Sequence, residues 1–203
     1  GRPIGDVFST VTGNTPPKRI KAHYGDDIPF VKPPELLDRP IRSAADSLSS
    51  SGAAVARLAP PGTVLISCIG NLGKVGLAQT KVAFNQQINA IMPDSKIAIQ
   101  KFIFFQALSP QFKRQLEDVA GGTTVPIVNK SKFDALKMWM PRPDLQERLV
   151  NQLIRFHQSS DQLTTLYTHK IALLFELRTF ILQKALAGEL NNATKSQEME
   201  AVA

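Results

Sequence analysis

The sequence predicts an α+β fold, in which a globular β-rich domain with short helices is followed by one long coiled-coil α-helix. Two observations predict it. Strand-like segments separated by Gly- and Pro-rich turns run through the first 143 residues. Beyond Pro143, apolar residues recur at alternating steps of three and four over about 44 residues. We therefore expect a globular domain over residues 1–143, the helix over 144–190 and a flexible polar tail over 191–203.

The strand predictions rest on alternation and on turn residues. Residues 5–12 alternate loosely and end at a turn cluster over 13–17. Residues 63–67 (TVLIS) form the strongest predicted strand, because β-branched and aliphatic residues favour a pleated, buried backbone. Residues 42–51, rich in Ser and Ala, give no clear prediction. The remaining segments of this region are a short apolar segment at 28–31, a Gly-rich loop at 69–74 and an alternating strand at 85–93.

Two short helices are predicted after these strands, over 94–108 and 110–119, from their helical spacing of apolar residues. The residues expected in the core are Ile97, Phe102, Phe104, Phe105 and Leu108. The residues expected to face solvent are Lys96, Lys101, Lys113 and Arg114.

The long helix has a predicted start, a predicted stop and a coiled-coil stripe. Asp144, with Glu147 three residues later, is typical of a capping box, and Gly188 is a typical stop. The stripe consists of Leu149, Leu153, Phe156, Ser160, Leu163, Tyr167, Lys170, Leu174, Leu177, Ile181 and Lys184. A second row of Leu166, Leu173 and Phe180 widens the apolar face.

The predicted length of this helix argues for a partner. At 1.5 Å per residue it reaches roughly 66 Å, which is too long to be covered by a domain of about 140 residues. We therefore expect the stripe to pack against another helix. The alternative is one long helix that packs on its own domain.

Charge is divided unevenly along the chain. The net charge is +7 overall, with a balance of +8 over residues 1–143 and −1 over residues 144–203. A basic domain joined to a near-neutral coiled coil suggests that the first faces a polyanion and the second faces protein. The alternative is a domain that is basic only for solubility.

Composition excludes several kinds of site. The single cysteine, Cys68, excludes an internal disulfide and a cysteine-based zinc site, and is most simply a small buried residue. Three scattered histidines offer no cluster of metal ligands. No apolar run approaches the roughly 18 residues of a membrane span, and no signal peptide opens the sequence, so we expect a cytoplasmic protein without membrane contact.

A basic loop provides the first candidate contacts to nucleic acid. Its cations, imidazole and ring fall within seven residues: Lys18, Arg19, Lys21, His23 and Tyr24. Lysines suit phosphate contacts, and the guanidinium of Arg19 suits bidentate contact to guanine. The alternative interpretation is a solvated surface loop.

Two further segments carry polar candidates. The segment 70–74 (GNLGK) lacks the spacing and the Ser or Thr of a nucleotide-hydrolysing phosphate loop, but it could approach DNA phosphate with Lys74 as the charge and Asn71 as a reader. A tight connector between two strands is the alternative. Asn85 and Gln86, with Gln87, could read adenine, although one or two of these amides are expected to satisfy strand ends.

Catalytic motifs are absent from the sequence. It contains no Gly-x-Ser-x-Gly, no His-Glu-x-x-His, no dinucleotide or S-adenosylmethionine fingerprint and no paired-carboxylate motif. The chain is therefore interpreted as a binding protein and not as an enzyme. Catalytic residues assembled only in space are the remaining alternative.

The order of these motifs resembles one family, the DNA-specificity subunit of type I restriction-modification systems. The resemblance runs over about residues 5–190 and is specific in order and spacing. Its segments are 5–6, 12–16 and 27–30 at the opening of a target-recognition domain, 62–67, 70–76 and 85–88 in central strands, Gly122, Thr123, Thr124, Ile127 and Phe133 around a closing loop, and 141–153 at the start of a coiled coil.

Three departures from the family pattern stand out. Phe30 replaces a common Trp, which is a mild change within aromatic packing. Gln146-Glu147 reverses the usual order at the helix start, which we expect to affect capping and little else. The family subunit usually has two recognition domains and two long helices, whereas this chain has one of each.

The resemblance implies a half-subunit that reads one half of a bipartite sequence in double-stranded DNA. It does not give the base contacts, and Thr123 and Thr124 join the candidate DNA contacts because of their position in a loop. It implies that the stripe meets a second copy of the chain, or the missing half of a full-length subunit, and docks methyltransferase (modification) subunits and a restriction/motor subunit. It also implies that the chain itself binds no cofactor, because S-adenosylmethionine, Mg²⁺ and ATP are expected only on partner subunits. The alternative function is a coiled-coil assembly or adaptor protein without specific DNA binding.

Overall fold

The computed structural model describes residues 1–92, 94–122 and 124–189. Within it the chain divides into a globular unit, Gly1–Gln152, and a second unit that begins at Leu153. The predicted fold class is confirmed: short strands and helices precede one long helix. The predicted tail over 191–203 lies outside the described residues, and the predicted domain boundaries remain a prediction.

The helices are α1 (Ile4–Val7), α2 (Ser50–Val55), α3 (Gln100–Ala107), α4 (Pro110–Val119), α5 (Lys130–Ala135) and α6 (Pro143–Leu186). The strands are β1 (Arg2–Pro3), β2 (Ser9–Thr12), β3 (Tyr24–Val31), β4 (Arg39–Ile41), β5 (Asp46–Leu48), β6 (Leu58–Ala59), β7 (Val64–Ser67), β8 (Val75–Ala78), β9 (Val82–Phe84), β10 (Ile88–Met92) and β11 (Lys137–Met138). Single 3₁₀ turns occur at Lys21–His23 and Pro33–Glu35.

Two sheets form the centre of the globular unit. The five-stranded sheet has the order β2-β10-β7-β8-β4, and only its β4–β8 pair is parallel. The four-stranded sheet has the order β5-β3-β9-β6, with a parallel β3–β9 pair. A two-stranded pair of β1 and β11 joins the first residues to the end of the globular sequence.

The central strands are buried on both faces. β7, β9 and β8 consist entirely of buried residues, which explains why their sequences are continuous and apolar instead of alternating. The core cluster includes Leu65, Phe84 and Ile88, each with no exposed surface. The core therefore lies between and within the sheets and fixes the strand ends from which the loops emerge.

Several local predictions were wrong. Residues 4–7 form a helical turn, so the predicted strand over 5–12 shortens to β2. The predicted helix over 94–108 begins only at Gln100, and Ile97, expected in the core, is 39% exposed in the preceding turn. Phe102 and Phe104 are buried as expected, and Phe105 and Leu108 are half-buried. Residues 110–119 form α4 with the predicted bounds.

The start of α6 differs from the predicted capping box. Pro143 is the first helical residue, so Asp144 lies inside the first turn instead of capping it. The side chain of Gln146 is fully buried and makes three hydrogen bonds: Oε1 accepts from the Ile99 backbone nitrogen at 3.0 Å, and Nε2 donates to the carbonyls of Pro141 at 2.8 Å and Ile97 at 3.3 Å. The reversed Gln-Glu order therefore affects packing, contrary to the expectation that only capping would change.

The end of α6 follows the predicted stop. Gly188 has a φ of 73°, in the left-handed region that favours glycine. Its backbone nitrogen donates to the Ala185 carbonyl at 3.1 Å, and that of Glu189 donates to the Lys184 carbonyl at 3.0 Å. These two bonds satisfy terminal carbonyls of the helix in a Schellman motif.

The part of α6 in the second unit, from Leu153 onward, exposes its apolar residues. Phe156 is 73% exposed and Leu174 is 64% exposed. Across the described residues, no helix has the length and hydrophobicity that a bilayer crossing requires.

Candidate nucleic-acid interface

The strand register gathers three loops at one end of the five-stranded sheet, and an isolated bridge between Ile69 and Ile127 holds a fourth against them. Thr12 pairs with Asn89, Ile88 with Ser67, and Ile66 with Val75, so β2 and β7 end where β10 and β8 begin. The connections at this end hold most of the predicted contact residues. We call this set, residues 13–24, 68–74, 85–87, 121–122 and 124–127, the loop end.

An open cavity of about 570 Å³ lies at the loop end. It is lined by four of the predicted contact residues, Lys18, Tyr24, Asn85 and Gln86, together with Thr15, Phe30, Lys32, Asp46 and Gln87. Its lining thus includes two lysines, one carboxylate and three side-chain amides. This mixture of cations and amides can contact phosphate oxygens and base edges.

The basic loop divides into exposed cations and structural residues. Lys18, Arg19 and Lys21 are exposed. The Tyr24 hydroxyl donates to the Pro16 carbonyl at 2.8 Å, so it holds the preceding turn in place. His23 is half-buried, and its carbonyl accepts from the Ser49 backbone nitrogen at 3.1 Å. The cations are therefore available for contacts, while the histidine and tyrosine anchor the loop.

The amide cluster also divides by role. Asn85 is only 7% exposed, and its Nδ2 donates to Gln87 Oε1 at 2.9 Å. The Gln87 backbone nitrogen donates back to Asn85 Oδ1 at 3.1 Å. Asn85 and Gln87 thus hydrogen-bond to each other just before β10. The sequence analysis gave this structural role as an alternative to reading adenine. Gln86, between them, is exposed.

The predicted loop with Asn71 and Lys74 is the hairpin between β7 and β8. The Ser67 hydroxyl donates to the Asn71 carbonyl at 2.6 Å and accepts from the Lys74 backbone nitrogen at 2.9 Å. Gly70 and Gly73 both have φ near 75°, which the tight turn requires. Asn71 is exposed and Lys74 is half-buried. The loop is a strand connector, and its side chains nonetheless lie at the loop end.

The closing loop packs against this hairpin. The backbone nitrogen of Gly70 donates to the Pro126 carbonyl at 2.9 Å, and that of Val128 donates to the Cys68 carbonyl at 2.8 Å. Thr124 is exposed in this loop. Thr123 lies outside the described residues. The structure thus brings together loops that are about 50 residues apart in sequence.

Three cations at the loop end were missed by the sequence analysis. The Arg57 guanidinium donates to the Thr12 carbonyl at 2.7 Å, Lys32 pairs with Asp46, and the Lys113 side chain lies beside Gly73. They come from three separate elements and form no run in the sequence. Only the fold places them near the predicted loops.

Two ionisable groups of the globular unit are perturbed. Hydrogen bonds from the Ser50 hydroxyl and backbone nitrogen, both 2.7 Å, hold the pKa of Asp27 below its usual value. Burial raises the pKa of the Cys68 thiol to about 12, so the thiol is protonated and unreactive at neutral pH. Within residues 1–92, 94–122 and 124–189, no group of three His, Cys, Asp or Glu side chains is arranged to hold a metal ion.

Most of the apolar side chains predicted to form the helix interface are exposed. Leu149 is half-buried at the first turns of α6. The other predicted interface residues are all exposed by 38% or more: Leu153, Phe156, Leu163, Tyr167, Leu174, Leu177 and Ile181. Further apolar residues outside the predicted stripe, Ile171, Phe175 and Leu182, are exposed by more than half. The apolar surface is thus wider than the two predicted rows.

Comparison with known families gives one extended match. A family model described as the type I restriction modification DNA specificity domain matches residues 2–172. This range includes the globular unit and the first part of α6 after it.

Two curated proteins match most of the chain. The HindI specificity subunit of Haemophilus influenzae is 29% identical over 191 residues, which are 92% of this chain and 40% of that protein. The MjaIX specificity subunit of Methanocaldococcus jannaschii is 24% identical over 160 residues, which are 75% of this chain and 36% of that protein. The chain spans about two fifths of the length of these relatives.

Solved structures share the fold. A chain from a study of complex assembly and conformational transition of the type I R-M system aligns with a TM-score of 0.74 at 22% identity, covering 92% of this chain and 45% of that one. The HsdS subunit from Thermoanaerobacter tengcongensis aligns with a TM-score of 0.56 at 19% identity, covering 77% and 36%.

Proposed function

The chain belongs to the family of type I restriction-modification DNA specificity domains, and from this premise we propose that it reads one half of a bipartite target in double-stranded DNA. Members of this family are non-catalytic specificity subunits. The proposal therefore assigns recognition to this chain and no bond-breaking step.

The observation that carries the proposal is the collection of predicted contact residues at the loop end. Exposed Lys18, Arg19 and Lys21 supply charge for phosphates, while exposed Asn71 and Gln86 supply amides that can meet base edges. Thr124 lies in an adjoining loop, and Lys74 stands half-buried in the hairpin. A protein that reads a duplex needs both kinds of group on one surface.

The helix has a separate proposed role. Its exposed apolar residues would pack against a second copy of the chain, or against the missing half of a full-length subunit, and would dock methyltransferase and restriction/motor subunits. Two chains joined in this way form a two-fold assembly, and a two-fold reader binds a palindromic pair of half-sites. S-adenosylmethionine, Mg²⁺ and ATP would reside on the partner subunits.

The experiment is selection of bound duplexes from a random DNA pool by the chain, followed by anisotropy titrations at several salt concentrations. We expect enrichment of two inverted copies of one half-site and an affinity that falls as salt rises. The Leu174→Glu variant, which places a charge in the helix stripe, should enrich a single half-site. Its matched control, Ala172→Glu on the opposite side of the same helix, should behave like wild type.

The competing function, a coiled-coil adaptor, is favoured by the wide exposed apolar surface of the helix. It predicts association of chains with no sequence enrichment and no salt-dependent DNA affinity. Enrichment of any single sequence would exclude it, while association without enrichment would overturn our proposal.

Substitutions at the loop end refine the assignment. Arg19→Ala or Asn71→Ala should relax sequence preference, because they remove groups that meet bases. Lys21→Ala or Lys74→Ala should weaken binding evenly across sequences and flatten the salt dependence, because they remove phosphate contacts. If all four variants bound like wild type, the DNA-binding surface would lie elsewhere on the globular unit.

A further inference from the structure

Gln86 differs from its two neighbouring amides. Asn85 and Gln87 bond to each other at the start of β10, whereas Gln86 is exposed and lines the cavity. Among the described residues, its side chain has one hydrogen-bond partner, Thr15. Gln86 is therefore the amide of this turn that can meet a ligand.

Thr15 fixes the orientation of that amide. The Thr15 hydroxyl donates to Gln86 Oε1 at 2.6 Å, which turns the two hydrogens of Nε2 away from Thr15. The oxygen keeps a second lone pair, so it can still accept one more hydrogen bond. A held glutamine amide presents one acceptor and one donor side by side.

The backbone around this pair is held from both sides. The backbone nitrogen of Gly13 donates to the Ile88 carbonyl at 3.0 Å, and that of Asn14 donates to the Phe84 carbonyl at 3.0 Å. A Cβ atom on Gly13 would lie 2.2 Å from the Asn85 carbonyl oxygen, so the two turns are in close contact. The arrangement is set before any ligand binds, which reduces the ordering that recognition requires.

Resting on the proposed DNA-reading function, we propose that Gln86 is the residue that specifies an adenine in the half-site and that Thr15 is its positioning residue. In the major groove, adenine presents a donor at N6 and an acceptor at N7, which match Oε1 and Nε2 of the amide. Guanine presents two acceptors at the same places, so it would oppose the oxygen of Gln86. Lys18, which lines the same cavity and is exposed, supplies positive charge for an adjoining phosphate.

The test is the base preference of variants, measured on the half-site that the wild-type chain selects, with each base in turn at every position. Gln86→Ala should reduce discrimination against the wrong base at one A·T position by roughly 5- to 150-fold and leave the other positions unchanged. Gln86→Glu carries two acceptors and no donor, so at that position it should prefer cytosine, whose N4 is a donor. The matched control is Gln79→Glu, an exposed glutamine beyond the opposite end of β8.

Thr15 is tested by rescue. Thr15→Val keeps the shape and removes the hydroxyl, and should lower discrimination at the same position by less than Gln86→Ala does. Thr15→Ser keeps the hydroxyl and should restore the wild-type discrimination at that position. The salt dependence of binding should stay unchanged in the two Thr15 variants and in Gln86→Ala, because these substitutions change no charge and remove no phosphate contact. A merely structural role for Thr15 would weaken binding to all sequences alike.

The outcomes separate this inference from the proposed function. If the wild-type chain selects no sequence, the DNA-reading function and this inference are both overturned. If it selects a half-site and Gln86→Glu keeps the wild-type preference at every position, the assignment of Gln86 alone is overturned. A preference that moves from adenine to cytosine at one position supports it.

Discussion

The globular unit and the helix from Leu153 onward differ in the exposure of their apolar side chains: the globular unit buries them, and the helix exposes them. Leu65, Phe84 and Ile88 of the globular unit have no exposed surface, whereas Phe156 and Leu174 of the helix are exposed by 73% and 64%. Burial within one chain gives stability that does not depend on concentration. In the proposed assembly the apolar residues of the exposed helix would gain theirs from another molecule, so their contribution would depend on the partner and its concentration.

The largest effect should come from charging the helix stripe. The double variant Leu163→Glu with Leu174→Glu should weaken self-association at least 100-fold, because each leucine contributes about 1.5–3 kcal/mol when buried and about 1.4 kcal/mol is a factor of ten. The measurement is sedimentation over a range of concentrations.

The control for this variant is Ala172→Glu, which adds a charge away from the stripe and should leave association unchanged. Cys68 supplies an internal control, since a buried thiol reacts slowly only while the globular unit is folded. Its labelling rate should be the same in the wild type and in both variants. Equal association of all three proteins would contradict the division between the two regions.

The next-largest effect should come from Gln146, which anchors the start of α6 in the globular unit. Gln146→Leu should lower the free energy of unfolding by about 2–4 kcal/mol, because the Ile99 N–H and the Pro141 carbonyl lose their buried partner. Urea denaturation measures it. Gln152→Leu, an exposed glutamine two turns later, should change stability by less than about 0.5 kcal/mol. Similar losses in both variants would refute the anchoring role.

A smaller effect should follow from a single cation at the loop end. Lys18→Gln should reduce the slope of log affinity against log salt by about 0.9, the contribution of one phosphate. Lys96→Gln is the matched control, because Lys96 is also exposed but lies in the turn after the opposite end of β10. Equal slopes for the wild type and both variants would remove Lys18 from the DNA contacts. Self-association should be unaffected in either case.

The smallest effect concerns the pH dependence of the globular unit. Hydrogen bonds from Ser50 lower the pKa of Asp27 in the folded state. A carboxylate of this kind stabilises folding at pH above its ordinary value, and the contribution disappears as the pH falls through the folded pKa. The melting temperature of Asp27→Asn should therefore lie below wild type at neutral pH and converge with it in acid. A constant difference across pH would show that the charge of Asp27 is not involved.

Sequence patterns predicted those elements whose signals are local. The periodicity of α6, the Gly188 stop and strand β7 all depend on residues within a few positions of each other, and the structure has them near the predicted places. Helical spacing predicts that Ile97 lies in the core, yet the helix begins at Gln100. Helical spacing alone could not show that residues 94–99 form a turn.

The site was less predictable because its contacts are distant in sequence. The basic loop was visible as a cluster of charges, but Arg57 and Lys32 reach the loop end through tertiary structure. The role of Gln146 depends on backbone groups of residues 97–99, which no local pattern indicates. Likewise, the different roles of Asn85, Gln86 and Gln87 could be assigned only from their hydrogen-bond partners in the structure.

The loop end has a consequence for how such a protein can change over evolutionary time. Three of its four loops connect strands whose buried residues belong to the core. Doubling the length of a flexible loop costs only about 0.6 kcal/mol in closure entropy, which is small beside the stability of a domain. Insertions and deletions between the structural residues of these segments can therefore change the exposed surface of the loop end while the strands and the long helix stay the same.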